Sequence, residues 1–236
     1  MLNLKQSINN IGGLSAPSKM NHSFSYSIPA TTCITGAKLV KVKNSVCNGC
    51  YALKGRYNFN NVQNALSRRY NILNEALNDK KKEKLFIDSF VYALKHYEKK
   101  YTHFRWHDSG DLQSVKHLKI IAKIAKLTPS IKHWLPTREY SFYNEYLKTE
   151  KQPSNLVVRV SSHMINKTAP KKYKNVSNVI KGMKLNGFTC NANKNILKPK
   201  EICTKCNTKL SKGGVHCCNC TACYNPKVKT INYYYH

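Results

Sequence analysis

Residues 102–163 read THFRWHDSGDLQSVKHLKIIAKIAKLTPSIKHWLPTREYSFYNEYLKTEKQPSNLVVRVSSH. The stretch alternates. THFRW is a short run of β-branched and aromatic residues that ends in the polar turn HDSGD. LQSVKHLKIIAKIAKL carries apolar residues three and four apart, the period of an amphipathic helix. IKHWLPTREY is a second strand that ends in a turn, YSFYNEYLKTE a second short helix, and NLVVRVSSH a third strand. Strand, helix, strand, helix, strand at intervals of about 25 to 30 residues is the pattern of β-α-β units in a parallel sheet. The expected fold is therefore α/β, a partial β/α barrel-like parallel sheet.

In parallel sheets, ligand chemistry gathers at the carboxyl ends of the strands. Here those ends carry His107-Asp108-Ser109-Gly110-Asp111, Thr137-Arg138-Glu139 and Ser161-Ser162-His163. His107, Asp108, Asp111 and Arg138 are the candidate catalytic residues, able to exchange protons, bind a divalent ion or hold a substrate. Asp111 also stands where the N-cap of the following helix belongs. Gly110 allows the backbone to approach a ligand closely. Arg105, Arg138 and Arg159 fall one to each strand or its end. An arginine turned into the mouth of such a sheet is costly without an anion, so phosphate or carboxylate is the expected partner.

Working outward, NVQNALSRRYNILNEAL (61–77) places Val62, Ala65, Leu66, Tyr70, Leu73 and Ala76 at helical spacing. KLFIDSFVYALKHYEKKY (84–101) does the same with Leu85, Phe86, Phe90, Ala93 and Leu94. The first 50 residues look irregular apart from a strand-like FSYSI (24–28), and the closing YYYH (233–236) reads as a tail. The expected organisation is an α/β core over 1–188 and a cysteine-rich segment over 189–236, integrated into one domain.

The ten cysteines divide between the two ends. Cys33, Cys47 and Cys50 lie near the amino end. Cys190, Cys203, Cys206, Cys217, Cys218, Cys220 and Cys223 lie near the carboxyl end. No signal-peptide pattern and no run of about 20 apolar residues is visible, which implies reduced thiols in a cytoplasmic setting, the host's if the chain is viral. Clustered reduced cysteines read as metal ligands. Two parsings of the tail compete. Cys203-x2-Cys206 with Cys217-x2-Cys220 would form a zinc-ribbon-like pair of knuckles. Cys217-x2-Cys220-x2-Cys223 with Cys190 would instead wrap an iron–sulfur cluster. Cys218 can be a small buried hydrophobe. The three amino-terminal thiols suggest an open coordination position, or a fourth ligand from the tail packed back against them.

The charge narrows the partner. With 40 Lys and Arg against 11 Asp and Glu, the formal charge is +29. A composition rich in lysine and asparagine supplies cations but does not remove acids. Nucleic acid, DNA or RNA, is the expected partner. Beside the first cysteine group, Tyr51, Arg56 and Tyr57 can grip or stack on a base, or pack the group onto the next helix.

The segments TTC…CNGCYALKGRYNFNNVQNALSRR, HFRWHDSGDLQS, WLPTRE, VVRVSS, FTCNA and CCNCTACYN, taken together, resemble the phage gene product eighty-eight family. That family carries C-x-x-CYA, then Gly-Arg-Tyr and an arginine-rich helix, a strand ending in His-x-Ser-Gly-Asp, and a closing Cys-x-x-Cys-x-x-Cys. The likeness runs from about Cys33 to Tyr224. It implies an iron–sulfur protein of phages and mobile elements, a 4Fe-4S cluster being the expected type. Cys33, Cys47 and Cys50 would form one ligand group, and Cys190, Cys217, Cys220 and Cys223 the other. The chain departs from the pattern in an insertion that adds Cys203 and Cys206, and in Tyr224, where tryptophan is usual.

Three functions compete. The first is an iron–sulfur enzyme acting on nucleic acid or a nucleotide. In outline it is similar to radical S-adenosylmethionine enzymes but lacks their C-x3-C-x2-C spacing. The second is a non-catalytic, zinc-stapled DNA- or RNA-binding protein. The third, a tyrosine nickase, ranks last because no His-hydrophobic-His motif accompanies the fifteen tyrosines.

Overall fold

The computed structural model describes residues 2–17, 19–20, 23–192, 195–207, 209 and 214–235. Strands β1 (Ser23–Tyr26), β2 (His103–Trp106), β3 (Lys132–Thr137), β4 (Leu156–Ser161), β5 (Val176–Ile180), β6 (Phe188–Thr189) and β9 (Thr230–Tyr234) form a seven-stranded sheet in the order β1-β2-β3-β4-β5-β9-β6. Every neighbouring pair is parallel. Strands β7 (Ile196–Leu197) and β8 (Gly214–Val215) make a separate antiparallel pair.

The first five strands lie side by side in chain order, the arrangement of a singly wound β/α sheet. Helices α3 (Asn60–Asn78) and α4 (Lys80–Tyr97) connect β1 to β2. α5 (Val115–Leu127) connects β2 to β3, and α6 (Tyr140–Thr149) connects β3 to β4. Their apolar stripes share one core with alternate strand residues: Phe104 and Trp106 of β2, Leu135 of β3, and Leu156, Val158 and Val160 of β4. Side chains alternate along a strand, so Arg105, Trp134 and Arg159 face the other side. That side is also covered, since all six residues of β4 are buried. Its cover is the cysteine-rich tail: Trp134 packs with Met20 and Tyr224, and with Cys217, Cys223 and Tyr233 around them. The tail thus does what a second helical layer does in other parallel sheets.

Several expectations need correction. The first 50 residues contain α1 (Leu4–Asn10) and α2 (Ile34–Val40). α1 opens with a capping box, in which Asn3 Oδ1 accepts from Gln6 N–H and Gln6 Oε1 accepts from Asn3 N–H. The closing tyrosines are no tail: Tyr233 and Tyr234 belong to β9, while His236 lies outside the described residues. Because β9 sits between β5 and β6, segment 189–236 contributes a strand to the core sheet. Asp111 does not cap α5. The cap is Ser114, whose Oγ accepts from His117 N–H at 3.1 Å. Gly110 does admit a close approach, but of protein backbone rather than ligand: its φ is +79°, and a Cβ there would lie 2.8 Å from the Ile28 carbonyl oxygen.

Candidate metal centres

The loop after β1 carries the first thiol group to the carboxyl edge of the sheet. A 3-10 turn at Ala30–Thr32 leads into Cys33, which precedes α2, and the chain returns through Cys47 and Cys50. Three anchors fix it. The Glu139 carboxylate, 2% exposed, accepts from Thr35 N–H at 2.8 Å and Thr35 Oγ1–H at 2.7 Å. Val46 N–H donates to the His163 carbonyl at 2.9 Å, tying the loop to the end of β4. Tyr51 donates its hydroxyl hydrogen to the Asp108 carbonyl, and Tyr57 donates to Asp108 Oδ2 at 3.0 Å. A Cβ added at Gly36 would lie 3.5 Å from Cys33 Sγ and 3.8 Å from Cys47 Sγ, so both thiols face one spot that glycine leaves open.

Charge surrounds this group. Burial raises the Cys33 and Cys47 thiols, and the Asp111 carboxylate adds to that, while the Arg138 guanidinium opposes it for both. Asp111 is itself pushed up to about 6 by burial, against hydrogen bonds from Thr137 Oγ1, Arg138 N–H and Leu112 N–H. Asp111 therefore buttresses the turn between β3 and Arg138. Arg138 Nε is buried without a hydrogen-bond partner among the described residues.

The other rim candidates scatter. His107 takes a left-handed φ of 56°, which breaks the strand alternation. Its ring turns into the helical layer, edge-on to His117 at 5.1 Å. Burial holds it far below the ordinary histidine range, and so neutral. His107 does not sit at the open rim. Arg105 lies on the inner face, the side the tail covers, its guanidinium 4.7 Å from the Trp134 ring centre. Among the described residues, Arg159 forms no ion pair. It is fully buried, and its terminal nitrogens donate to the carbonyls of Val176, Val228, Lys229, Ala222, Cys223 and Asn225 at 3.0–3.4 Å. Arg56 is exposed at the end of the thiol loop.

The second thiol group covers the inner face. Cys190 follows β6, its N–H bonded to the Asn232 carbonyl. Cys217 N–H donates to the Lys19 carbonyl at 2.8 Å. Cys223 Sγ lies 3.1 Å from the Tyr233 hydroxyl. Cys217 and Cys223 lie within electrostatic reach of each other and of Cys190, and Cys220 within reach of Cys217. Burial raises Cys217 to about 11 and Cys223 to about 12.

The third group departs from the zinc-ribbon parsing of the tail. Cys203, Cys206, His216 and Cys218 bring one ligand atom each to within 4.8 Å of one another. The partners of Cys203 and Cys206 are thus His216 and Cys218, not Cys217 and Cys220. Cys218 is half-buried in this cluster rather than a core hydrophobe. His216 Nδ1 lies 2.9 Å from the Asn195 carbonyl, which fixes the ring and leaves Nε2 buried with no hydrogen-bond partner among the described residues. A histidine held through one nitrogen by a carbonyl is the usual outer support of a metal-bound imidazole. This set can hold a metal ion. The neighbouring His216 imidazole lowers the Cys203 thiol, easing the deprotonation that binding requires. His216 was not anticipated from sequence, although C-x2-C followed by H-x-C contains the signal. Glu139 was missed because a lone acid in a turn carries none.

The chain is thus an α/β protein with a parallel sheet and three cysteine groups, one of them a compact Cys3His set. It belongs to the Gene product 88 family, whose model matches residues 2–226. No curated protein and no solved structure matches it. Among the described residues, no helix is long and apolar enough to cross a membrane.

Proposed function

We propose that this chain is an iron–sulfur protein of phage or mobile-element type that binds and processes nucleic acid. The observation that carries the reading is that Cys33, Cys47 and Cys50 lie within electrostatic reach of one another on a loop anchored to Glu139 and His163, beyond the carboxyl ends of β3 and β4. The donor set fits a cluster: the thiols are unpaired, and Gly36 keeps the space between two of them clear. Four cysteines is the usual complement of a 4Fe-4S cluster, so three leave one position for an outside ligand, S-adenosylmethionine among the candidates. Such a cluster supplies one-electron chemistry when bound. The protein's own residues prepare the place. Arg138 offers positive charge beside the thiols, Asp111 fixes the Arg138 backbone, and Glu139 clamps the helix that follows Cys33.

Cys190, Cys217, Cys220 and Cys223 are four thiols and fit a second, closed cluster. The Cys3His set fits zinc. Zinc bonds of about 2.0–2.3 Å place ligand atoms less than about 4 Å apart, whereas thiolates on different irons of a cubane stand farther apart. That set also favours the alternative reading, a zinc-stapled nucleic-acid binder without catalysis.

Both readings require a phosphate grip, consistent with the formal charge of +29. Titrating single- and double-stranded DNA and RNA at several salt concentrations tests it. The expected logarithmic slope is steeper than about −4, reflecting five or more phosphate contacts. A slope shallower than about −1 would exclude nucleic acid as the partner.

A further inference from the structure

A cleft of about 310 Å3 opens between the end of the thiol loop and helix α3. Arg56, Tyr57, Asn61, Ala65, Arg69 and Asp108 are among its walls. Arg69 is the informative residue. It is only 5% exposed; its Nε donates to the Gly13 carbonyl at 3.0 Å, and its guanidinium lies over the Tyr26 ring. Neither terminal nitrogen has a hydrogen-bond acceptor among the described residues, yet both escape full burial. A cation placed so deep is costly unless an anion meets it. Asp108 is the nearby carboxylate and partly offsets the Arg69 charge; its Oδ2 accepts from Tyr57, its Oδ1 has no hydrogen-bond partner among the described residues, and it is shared with Arg105. Arg56, on the same cleft, forms no ion pair among the described residues. Arg68 lies beside Arg69 but outside the cleft wall: its Nη2 and that of Arg69 both come within 4 Å of the point a Gly13 Cβ would occupy.

The cleft wall thus combines the Arg56 and Arg69 guanidiniums and the Asp108 carboxylate with the apolar side chains Val62 and Ala65 of α3 and the Tyr57 ring. Its volume stands at the lower end for small-molecule sites, which run from about 300 Å3 upward. A single nucleotide has that size and that division, with a flat base for the apolar wall and a phosphate for the arginines. The cleft is also tied to the thiols, because Tyr51 and Tyr57 both bond to Asp108.

We infer that this cleft binds one nucleotide, its phosphate held by Arg56 and Arg69 and its base laid against Tyr57 and α3. The inference rests on the nucleic-acid part of the function proposed above and is independent of the metal. It is tested by equilibrium binding of deoxyadenosine 5′-monophosphate, deoxyadenosine and a short single-stranded oligonucleotide to the full chain, with iron measured on the same sample. The monophosphate is expected to bind at one site, and the nucleoside at least about tenfold more weakly, about 1.4 kcal/mol. Arg56→Ala, at an exposed position, is expected to weaken the monophosphate at least about tenfold. Ala65→Leu, which fills the cleft from a helix that tolerates leucine, is expected to abolish binding.

Tighter binding of the oligonucleotide, with the same losses in both variants, supports the inference and assigns the nucleotide to a strand. Binding of the monophosphate alone supports it and assigns a free nucleotide. Equal binding of nucleoside and nucleotide, or no effect of either variant, overturns it. An iron-containing sample that fails to bind the monophosphate removes the cleft and leaves the cluster. Binding by an iron-free sample does the reverse.

Discussion

Arg159→Leu is expected to destabilise the protein by about 4 kcal/mol or more and to loosen the tail before the sheet. Arg159 is fully buried, and its two terminal nitrogens bridge three segments: the start of β5 at Val176, the approach to β9 at Val228 and Lys229, and the turn at Ala222, Cys223 and Asn225. Leucine keeps the packing but supplies no donor. A buried carbonyl stripped of its donor costs about 1–3 kcal/mol, and several are stripped at once. At about 2–4 °C per kcal/mol for a chain of this size, the melting temperature should fall by about 10 °C. Arg159→Lys should recover only part of this, since one ammonium cannot fork between β9 and the Cys223 turn. Urea melts and limited proteolysis, followed as cleavage within 217–225, check the claim. A loss below about 1 kcal/mol would mean that the arginine does not anchor the tail.

Cys218→Ser is expected to remove one zinc ion per chain and leave iron unchanged, and Cys217→Ser is expected to leave zinc in place. The neighbouring cysteines separate because their chain directions differ. Cys218 takes a left-handed φ of 52° and joins Cys203, Cys206 and His216, while Cys217 packs on the inner face. Binding free energies at structural zinc sites run to about 10–16 kcal/mol, far more than two-residue strands such as β7 and β8 can supply themselves. Chelation should therefore expose the β7–β8 region to protease while the parallel sheet persists. Metal analysis of the two variants decides; zinc lost with Cys217 and kept with Cys218 would restore the zinc-ribbon parsing.

The parallel sheet was legible because residues 102–163 alternate strand and helix periods cleanly, and β2, α5, β3, α6 and β4 fall where that rhythm predicts. β5, β6 and β9 were not legible. They are short or polar, and β9 reaches its place only by long-range pairing with β5, which no local pattern encodes. The amino-terminal helices were hidden by glycines and prolines, although the Asn3–Gln6 capping box was readable in principle. At the site, cysteine spacing pointed to clustered thiols but not to which of them cluster together. One left-handed residue at Cys218 sends adjacent thiols to different groups. Likewise, a strand arginine advertises charge but not its partner: Arg159 spends its charge on carbonyls, whereas Arg138 stands beside thiols. Asp111 shows the same limit. Its position suits a helix cap, but a threonine hydroxyl and two backbone N–H groups claim the carboxylate from across the turn.

The central claim is a cluster at the first thiol group. Purification without oxygen, followed by the visible absorption spectrum and by iron, sulfide and zinc per chain, tests it most directly. The account predicts broad brown absorption with iron and sulfide in near-equal amounts, reduced in a Cys47→Ser/Cys50→Ser variant that keeps its zinc. A colourless protein that holds zinc alone would contradict it.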